Sequence, residues 1–306
     1  VPAGSKLHEH SQNVKAVNKM IKDLSFDISR KENHLLGLGT LGGGNHFLEL
    51  AKDEDGNYWL TVHSGSRSFG AEIAKHHEKQ AINYHIEKHL TSRKEFIEDL
   101  KRKNKHKDIQ KELAKFNKEN ELEKQRLKNH IPNIPYLEGK LLQDYLNDIE
   151  VADRYAHLSR KIMLDNIVKA MNWTVDFEFD SVHNNIDIKN GIIRKGATSA
   201  QKDELLIIPL NMRDGSLICR GLGNSDWNFS APHGAGRMLS RKDAKELIDL
   251  DEYQKQMEGI YTSSVGITTL DEAPDVYKPA EEIKSLIGDT VEILHHIKPV
   301  YNFKAH

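Results

Sequence analysis

The sequence predicts a mixed α/β fold of the α+β kind, a single large domain with central β-sheets and a helical insertion. Two observations carry this. Short apolar segments punctuated by Asp-Gly and Asn-Gly turn signals occupy residues 36–63 and return after Trp173. Between them, over about residues 71–172, the chain is charged, nearly free of glycine and periodic at helical spacing. A length of 306 residues suits one large α/β unit or two smaller domains, with a sizeable core in either case.

The elements follow in order. Residues 1–35 are polar, with one short helix expected around Val14–Leu24. β segments are expected over Leu36–Leu50 and Tyr58–His63, joined by the hairpin signal Asp53-Glu54-Asp55-Gly56-Asn57. The helical block breaks at Ile131-Pro132-Asn133-Ile134-Pro135, and Asp144–Ala170 reads as a long amphipathic helix. Thr174–Phe179 alternates like a strand, Asn190-Gly191 marks a second hairpin, and Leu205–Pro209 and Ser216–Cys219 read as buried strands. A helical stretch from Ser240 to about Met257 precedes a tail expected to be irregular. The reading is one domain over 1–306 with an insertion over about 71–172.

Composition excludes several classes. A single Cys rules out a disulfide scaffold and a Cys-rich zinc fold, and it fits a reducing compartment. No apolar run approaches the ~20 residues of a membrane span, and the opening Val1-Pro2-Ala3-Gly4-Ser5-Lys6 lacks a secretory pattern, so a cytoplasmic location and no membrane partner are expected. With 44 Lys+Arg against 46 Asp+Glu, the chain does not resemble a purely electrostatic nucleic-acid binder. Residues Arg93–Lys128 carry thirteen basic and eight acidic residues, a run that more often marks solvated helix faces than a polyanion site. Seventeen His are the unusual feature, because imidazole is the commonest metal ligand.

A two-residue turn at Asp55-Gly56 would set His46 opposite Gly65, with His63 two positions along on the same face. Diagonal neighbours of this kind stand roughly 7–8 Å apart, close enough to converge on one ion. Gly42-Gly43-Gly44 ahead of His46 lets backbone approach a ligand, and Ser64-Gly65-Ser66-Arg67 supplies phosphate-handling groups. For a lone strand-end His the structural role is the commoner one; two at matched positions keep the ligand role open. In the second hairpin, a turn at Asn190-Gly191 sets His183 against Thr198, beside Arg194-Lys195-Gly196-Ala197. The alternative there is an exposed His next to an Asn184-Asn185 turn. His233 lies in the small-residue run Gly234-Ala235-Gly236-Arg237, and Ser240 with Asp243 reads as a helix N-cap. Neutral imidazole needs no base before attacking phosphorus, so His233 is a candidate nucleophile; an exposed His in a glycine-rich loop is the competing reading.

The segments Leu41-Gly42-Gly43-Gly44-Asn45-His46-Phe47-Leu48-Glu49, His63-Ser64-Gly65-Ser66-Arg67, His183-Asn184, Arg194–Thr198, His233–Arg237, Glu272-Ala273-Pro274 with Tyr277-Lys278, and Lys304 resemble the motifs of the RtcB-type RNA-splicing ligases, in family order over almost the whole chain. The resemblance implies an RtcB-like domain and a GTP- and Mn²⁺-dependent enzyme of RNA repair and tRNA splicing. It would join RNA 3′-phosphate or 2′,3′-cyclic phosphate ends, from tRNA halves or broken RNA, to 5′-hydroxyl ends, with an accessory activator as a further partner. By motif matching, His46 and His63 would bind one of two Mn²⁺ ions and His183 the other, while His233 would become guanylylated. Asn45, Glu49, Gly234, Ala235, Gly236, Arg237, Tyr277 and Lys304 match positions that hold the nucleotide, with Asn211 standing where many members have Ser. A near-terminal Lys304 is expected to matter little to the fold. The family also places an Asp and a Cys ligand ahead of the Gly-Asn-His segment; no Cys precedes Leu36 here, so a chain beginning inside the domain, or a reduced variant, is expected. The alternative function is a metal-dependent phosphoesterase or cyclic-phosphate hydrolase using the same His cluster with water.

Overall fold

A computed structural model describes residues 1–88, 90, 93–103, 109–127 and 134–304. Among these, helices α1 (Val14–Asp23) and α2 (Lys31–Gly37) precede the hairpin strands β1 (Phe47–Lys52) and β2 (Tyr58–His63). The helical block comprises α3 (Arg67–Glu87), α4 (Arg93–Arg102), α5 (Ile109–Leu127) and α6 (Gly139–Met171). Then come β3 (Ile186–Asp187), β4 (Ile192–Ile193), β5 (Ala197–Ser199), β6 (Leu205–Asn211), β7 (Gly215–Gly221) and β8 (Ser230–Pro232). Helices α7 (Arg241–Leu247) and α8 (Leu250–Gln256), strand β9 (Tyr261–Thr262), helix α9 (Ala280–Leu286) and strand β10 (Val291–Lys304) complete the order. The mixed α/β class is the one expected. No described helix is long and apolar enough to cross a membrane.

Contacts divide the chain into two units. The first holds residues 1–20, 30–67 and 153–306. Its sheet runs β2-β1-β10-β7-β6, antiparallel along that path, with the short β9 parallel to β10. Strand β10 is therefore central, where an irregular tail was expected. Its composition hides it, because His295-His296 and Lys298-Pro299 break the apolar alternation that marks a strand. Leu206, Ile208, Leu217 and Cys219 bury one face of the sheet with Ile283 and Ile287, while Ile207, Ile218 and Ile297 bury the other with Ala51, Trp59 and Phe179. Alternation with a period of two divides the same strands between the two cores.

Four further expectations need correction. Residues Lys31–Gly37 are helical, so the first strand begins at Phe47 instead of Leu36. The hairpin pairs Phe47 with His63, one residue off the expected register. Asp53 causes the shift: its carboxylate accepts from the backbone N–H of Asp55 and Asn57 and from the side chains of Asn57 and Trp59, closing a longer loop than a two-residue turn. Thr174–Phe179 forms no strand. Phe179 packs against a sheet face, while Glu178 and Asp180 bond to Lys161 and Arg160 of α6, so side chains fix a segment that no sheet edge pairs. In the second hairpin Ile186 pairs with Ile193 and Asp187 with Ile192, two residues off the expected register. Gly196, at φ +69°, and Asn184, at φ +53°, absorb the difference, so His183 pairs with Thr198 as expected.

The second unit holds residues 21–29 and 68–152. Helices α4 and α5 meet where Phe96 stacks on Phe116 at 4.1 Å between ring centroids. Buried Asp148 accepts from the Ser25 hydroxyl and backbone N–H and lies 2.8 Å from His77 Nε2. Lys103, just past α4, and Lys115 and Lys124 of α5 pair with carboxylates three or four positions away, as on a solvated helix face. Parts of the basic run, residues 104–108 and 128, and the Ile131-Pro132-Asn133 break lie outside the described residues.

Candidate functional site

In the first unit, short strands bring distant histidines together. His183 pairs with Thr198 of β5, and β5 pairs with β8 so that Ala197 faces Pro232, which puts His233 next to His183. Their ring centroids are 5.1 Å apart. His63 ends β2 at 5.2 Å from His183, and its Nε2 lies 3.2 Å from the Nε2 of His183. His46 stands 6.0 Å from His63. A one-residue slip normally turns a side chain to the opposite face. His46 escapes that rule because it precedes β1, on a loop where Gly44 has φ +69°. Gly42 makes room for it: a Cβ there would lie 1.7 Å from His46 Nδ1 and 2.4 Å from Arg67 Nη1. Arg67, itself at φ +56°, is held by the Gly4 carbonyl and the Thr40 hydroxyl.

Burial keeps His46, His63 and His183 neutral. It lowers His63 to about 3, with the charges of His183 and His46 acting in the same sense. It lowers His183 to about 4, helped by His233 and Arg160, and lowers His46 together with Arg67. Neutral imidazole is the ligating form. The Nδ1 atoms of His46 and His183 are buried without a hydrogen-bond partner. This donor set fits a divalent cation through imidazole nitrogen, although among the described residues no group of three or more His, Cys, Asp or Glu is arranged to hold one. Cys219 contributes no ligand: it is fully buried between β6 and α9, and burial pushes its thiol up to about 12.

His63 and His233 also line a cavity of about 340 Å³. Asn45, Phe47 and Glu49 form one wall; Asn211, Gly234, Ala235, Gly236 and Arg237 form another; Tyr277, Asn302 and Lys304 complete it with Arg241 and Glu272. The 233–237 loop is fixed by the Ala235 N–H donating to Pro209 O and the Lys278 N–H donating to Gly236 O, with Gly236 at φ +75°. Ser240 caps α7 by accepting from the Asp243 N–H. Glu49 is buried with Oε1 unpartnered, and burial raises its carboxyl to about 8 against the pull of Lys304.

All the nominated nucleotide-binding residues line the cavity, whereas His46 and His183 adjoin it through His63. Two nominations change character. The Asn211 amide builds the β6–β7 turn, its Oδ1 accepting from the N–H of Arg213 and Asp214 and its Nδ2 donating to Asp214. Lys304 is 7% exposed and bonded to Glu272, so it is part of the packing, against the expectation that it matters little to the fold. The residue missed is Glu272. It stood in a recognisable motif, but its partner Lys304 is set only by the placement of β10, and Arg237, Arg241 and Tyr277 by how their loops fold around it.

Residues 4–305 match the profile of the family described as tRNA-splicing ligase RtcB. The RNA-splicing ligase RtcB of Escherichia coli (strain K12) is 29% identical over 290 residues, covering 89% of this chain and 62% of that protein. The tRNA-splicing ligases RtcB of Aeropyrum pernix and Pyrobaculum aerophilum are 26% and 24% identical, each aligned over 80% of this chain and 54% of their own length. The chain thus spans between half and two thirds of the length of these curated relatives.

Proposed function

This chain belongs to the RtcB family, described as tRNA-splicing ligase RtcB, and from that premise we propose that its cavity performs GTP-dependent RNA ligation, joining 3′-phosphate or 2′,3′-cyclic phosphate ends to 5′-hydroxyl ends in the cytoplasm. The observation that supports it most is the row of four imidazoles, His46, His63, His183 and His233, whose last member lines the cavity.

His233 is the nucleophile in this reading. Its ring nitrogen bonds to the α-phosphorus of GTP and pyrophosphate leaves, giving a histidine–GMP linkage. A cyclic RNA end first takes up one water to become a 3′-phosphate. That phosphate then displaces His233 from GMP, and the 5′-hydroxyl attacks the activated phosphorus, closing the RNA bond and releasing GMP. Arg237, Arg241 and Lys304 counter the negative charge that builds along the sequence. Mn²⁺, held by His46, His63 and His183, would polarise phosphate oxygens. Of the two ions the resemblance implies, each would have only imidazole donors among the residues of this cluster. Asn45, Glu49 and Tyr277 line the remaining nucleotide space. RNA and an accessory activator are the proposed partners.

Incubation with Mn²⁺ and α-labelled GTP tests the reading. An acid-labile label on the protein that is lost in His233→Ala supports it. An unlabelled protein that opens a cyclic phosphate with water or releases phosphate from a 3′-phosphate end refutes it in favour of the phosphoesterase.

A further inference from the structure

Glu272 is 3% exposed, ends a 3₁₀ turn over Ile267–Glu272, and forms part of the cavity wall. Its carboxylate gathers four side chains from separate parts of the chain. Oε1 accepts from Arg237 Nη2 at 2.6 Å and Arg241 Nη1 at 2.9 Å; Oε2 accepts from the Tyr277 hydroxyl at 2.7 Å and from Lys304 Nζ. All four donors line the same cavity.

We infer that Glu272 is the positioning residue of the cavity, the anion that among the described residues holds Lys304, Arg237 and Tyr277 in place to receive an anionic nucleotide. The inference rests on the proposed function and deepens it. Among the described residues three cations meet two carboxylates there, Glu272 and the Arg241 partner Asp271, while burial holds the nearby Glu49 carboxyl up at about 8, which leaves an excess positive charge at this end. Without the carboxylate, one ammonium and two guanidinium groups would repel across a few ångströms in a partly dry site. Arg241, whose side chain is half exposed, has solvent to swing into, while Lys304 has none. The carboxylate does not exhaust its donors: the ammonium has three N–H groups and each guanidinium has five, so groups remain for phosphate oxygens or base acceptors. Held low by Lys304, Tyr277 and Arg237 despite its burial, the Glu272 carboxyl stays ionised at neutral pH.

The test uses the full chain with Mn²⁺, titrated with GTP calorimetrically, and labelled with α-labelled GTP. Glu272→Gln keeps the shape and removes the charge. GTP affinity should fall at least tenfold and the labelling rate with it, while Mn²⁺ affinity stays within twofold of wild type. In a Lys304→Met background the same substitution should cost clearly less than it does in wild type, because part of its effect passes through Lys304. An unchanged GTP affinity in Glu272→Gln, or a full tenfold loss on top of Lys304→Met, overturns the inference. If Glu272→Gln does not fold, Glu272→Asp decides: the charge is kept but withdrawn by one methylene, so GTP affinity should fall several-fold, and a wild-type value overturns the inference. A wild-type protein that binds Mn²⁺ but no GTP overturns the proposed function itself.

Discussion

The Nε2 atoms of His63 and His183 lie 3.2 Å apart although 120 residues separate them in the chain. Neither ring is charged at neutral pH, since burial, aided by the charge of His183 at His63 and of His233 at His183, holds them near 3 and 4, so one donates to the other. Two neutral nitrogens this close can each turn onto a cation, which two protonated rings could not do.

Replacing either ring should therefore weaken metal binding. Mn²⁺ affinity, read by electron paramagnetic resonance of the free ion, should drop at least tenfold in His63→Ala and in His183→Ala. Affinities equal to wild type in both variants would remove the pair from the metal site.

Gly42→Ala should disturb the same cluster without touching a ligand. The new Cβ would overlap His46 and Arg67, so one of them must leave. Denaturant unfolding should show a loss of about 1–3 kcal/mol, accompanied by weaker Mn²⁺ binding. A variant as stable as wild type, with unaltered Mn²⁺ affinity, would show that the loop yields freely.

Lys304→Met should destabilise the fold, contrary to the expectation for a near-terminal residue. A buried charged hydrogen bond to Glu272 disappears, although Arg237, Arg241 and Tyr277 remain on that carboxylate, so about 1–3 kcal/mol is expected. Urea unfolding midpoints measure it, and no shift would show that Lys304 stabilises nothing.

Glu49 gives a pH signature. Its carboxyl is raised from 4.5 to about 8 by burial, so the folded state binds the proton more tightly than the unfolded chain. The stability it contributes is complete below about pH 4.5 and is lost progressively as pH rises toward 8, a slope worth on the order of a few kcal/mol. Glu49→Gln should flatten stability against pH over that window relative to wild type. Parallel curves for the two proteins would assign the slope elsewhere.

The sequence by itself determined the elements whose signals are local. Turn residues marked both hairpins, the helical period marked α6, the apolar runs at Leu205–Pro209 and Ser216–Cys219 marked β6 and β7, and Ser240 with Asp243 marked a helix start. Side-chain chemistry also nominated four histidines whose rings suit metal and phosphorus. Tertiary structure alone decided how they meet. The register of the first hairpin depended on the Asp53 carboxylate closing its loop, and the second on a left-handed Asn184 and Gly196. The place of Lys304 depended on β10 entering the middle of the sheet, where it meets Glu272. The physical reason is range: turns and helices are set by neighbours within about four residues, whereas strand partners and buried ion pairs form between segments whose separation no local pattern records.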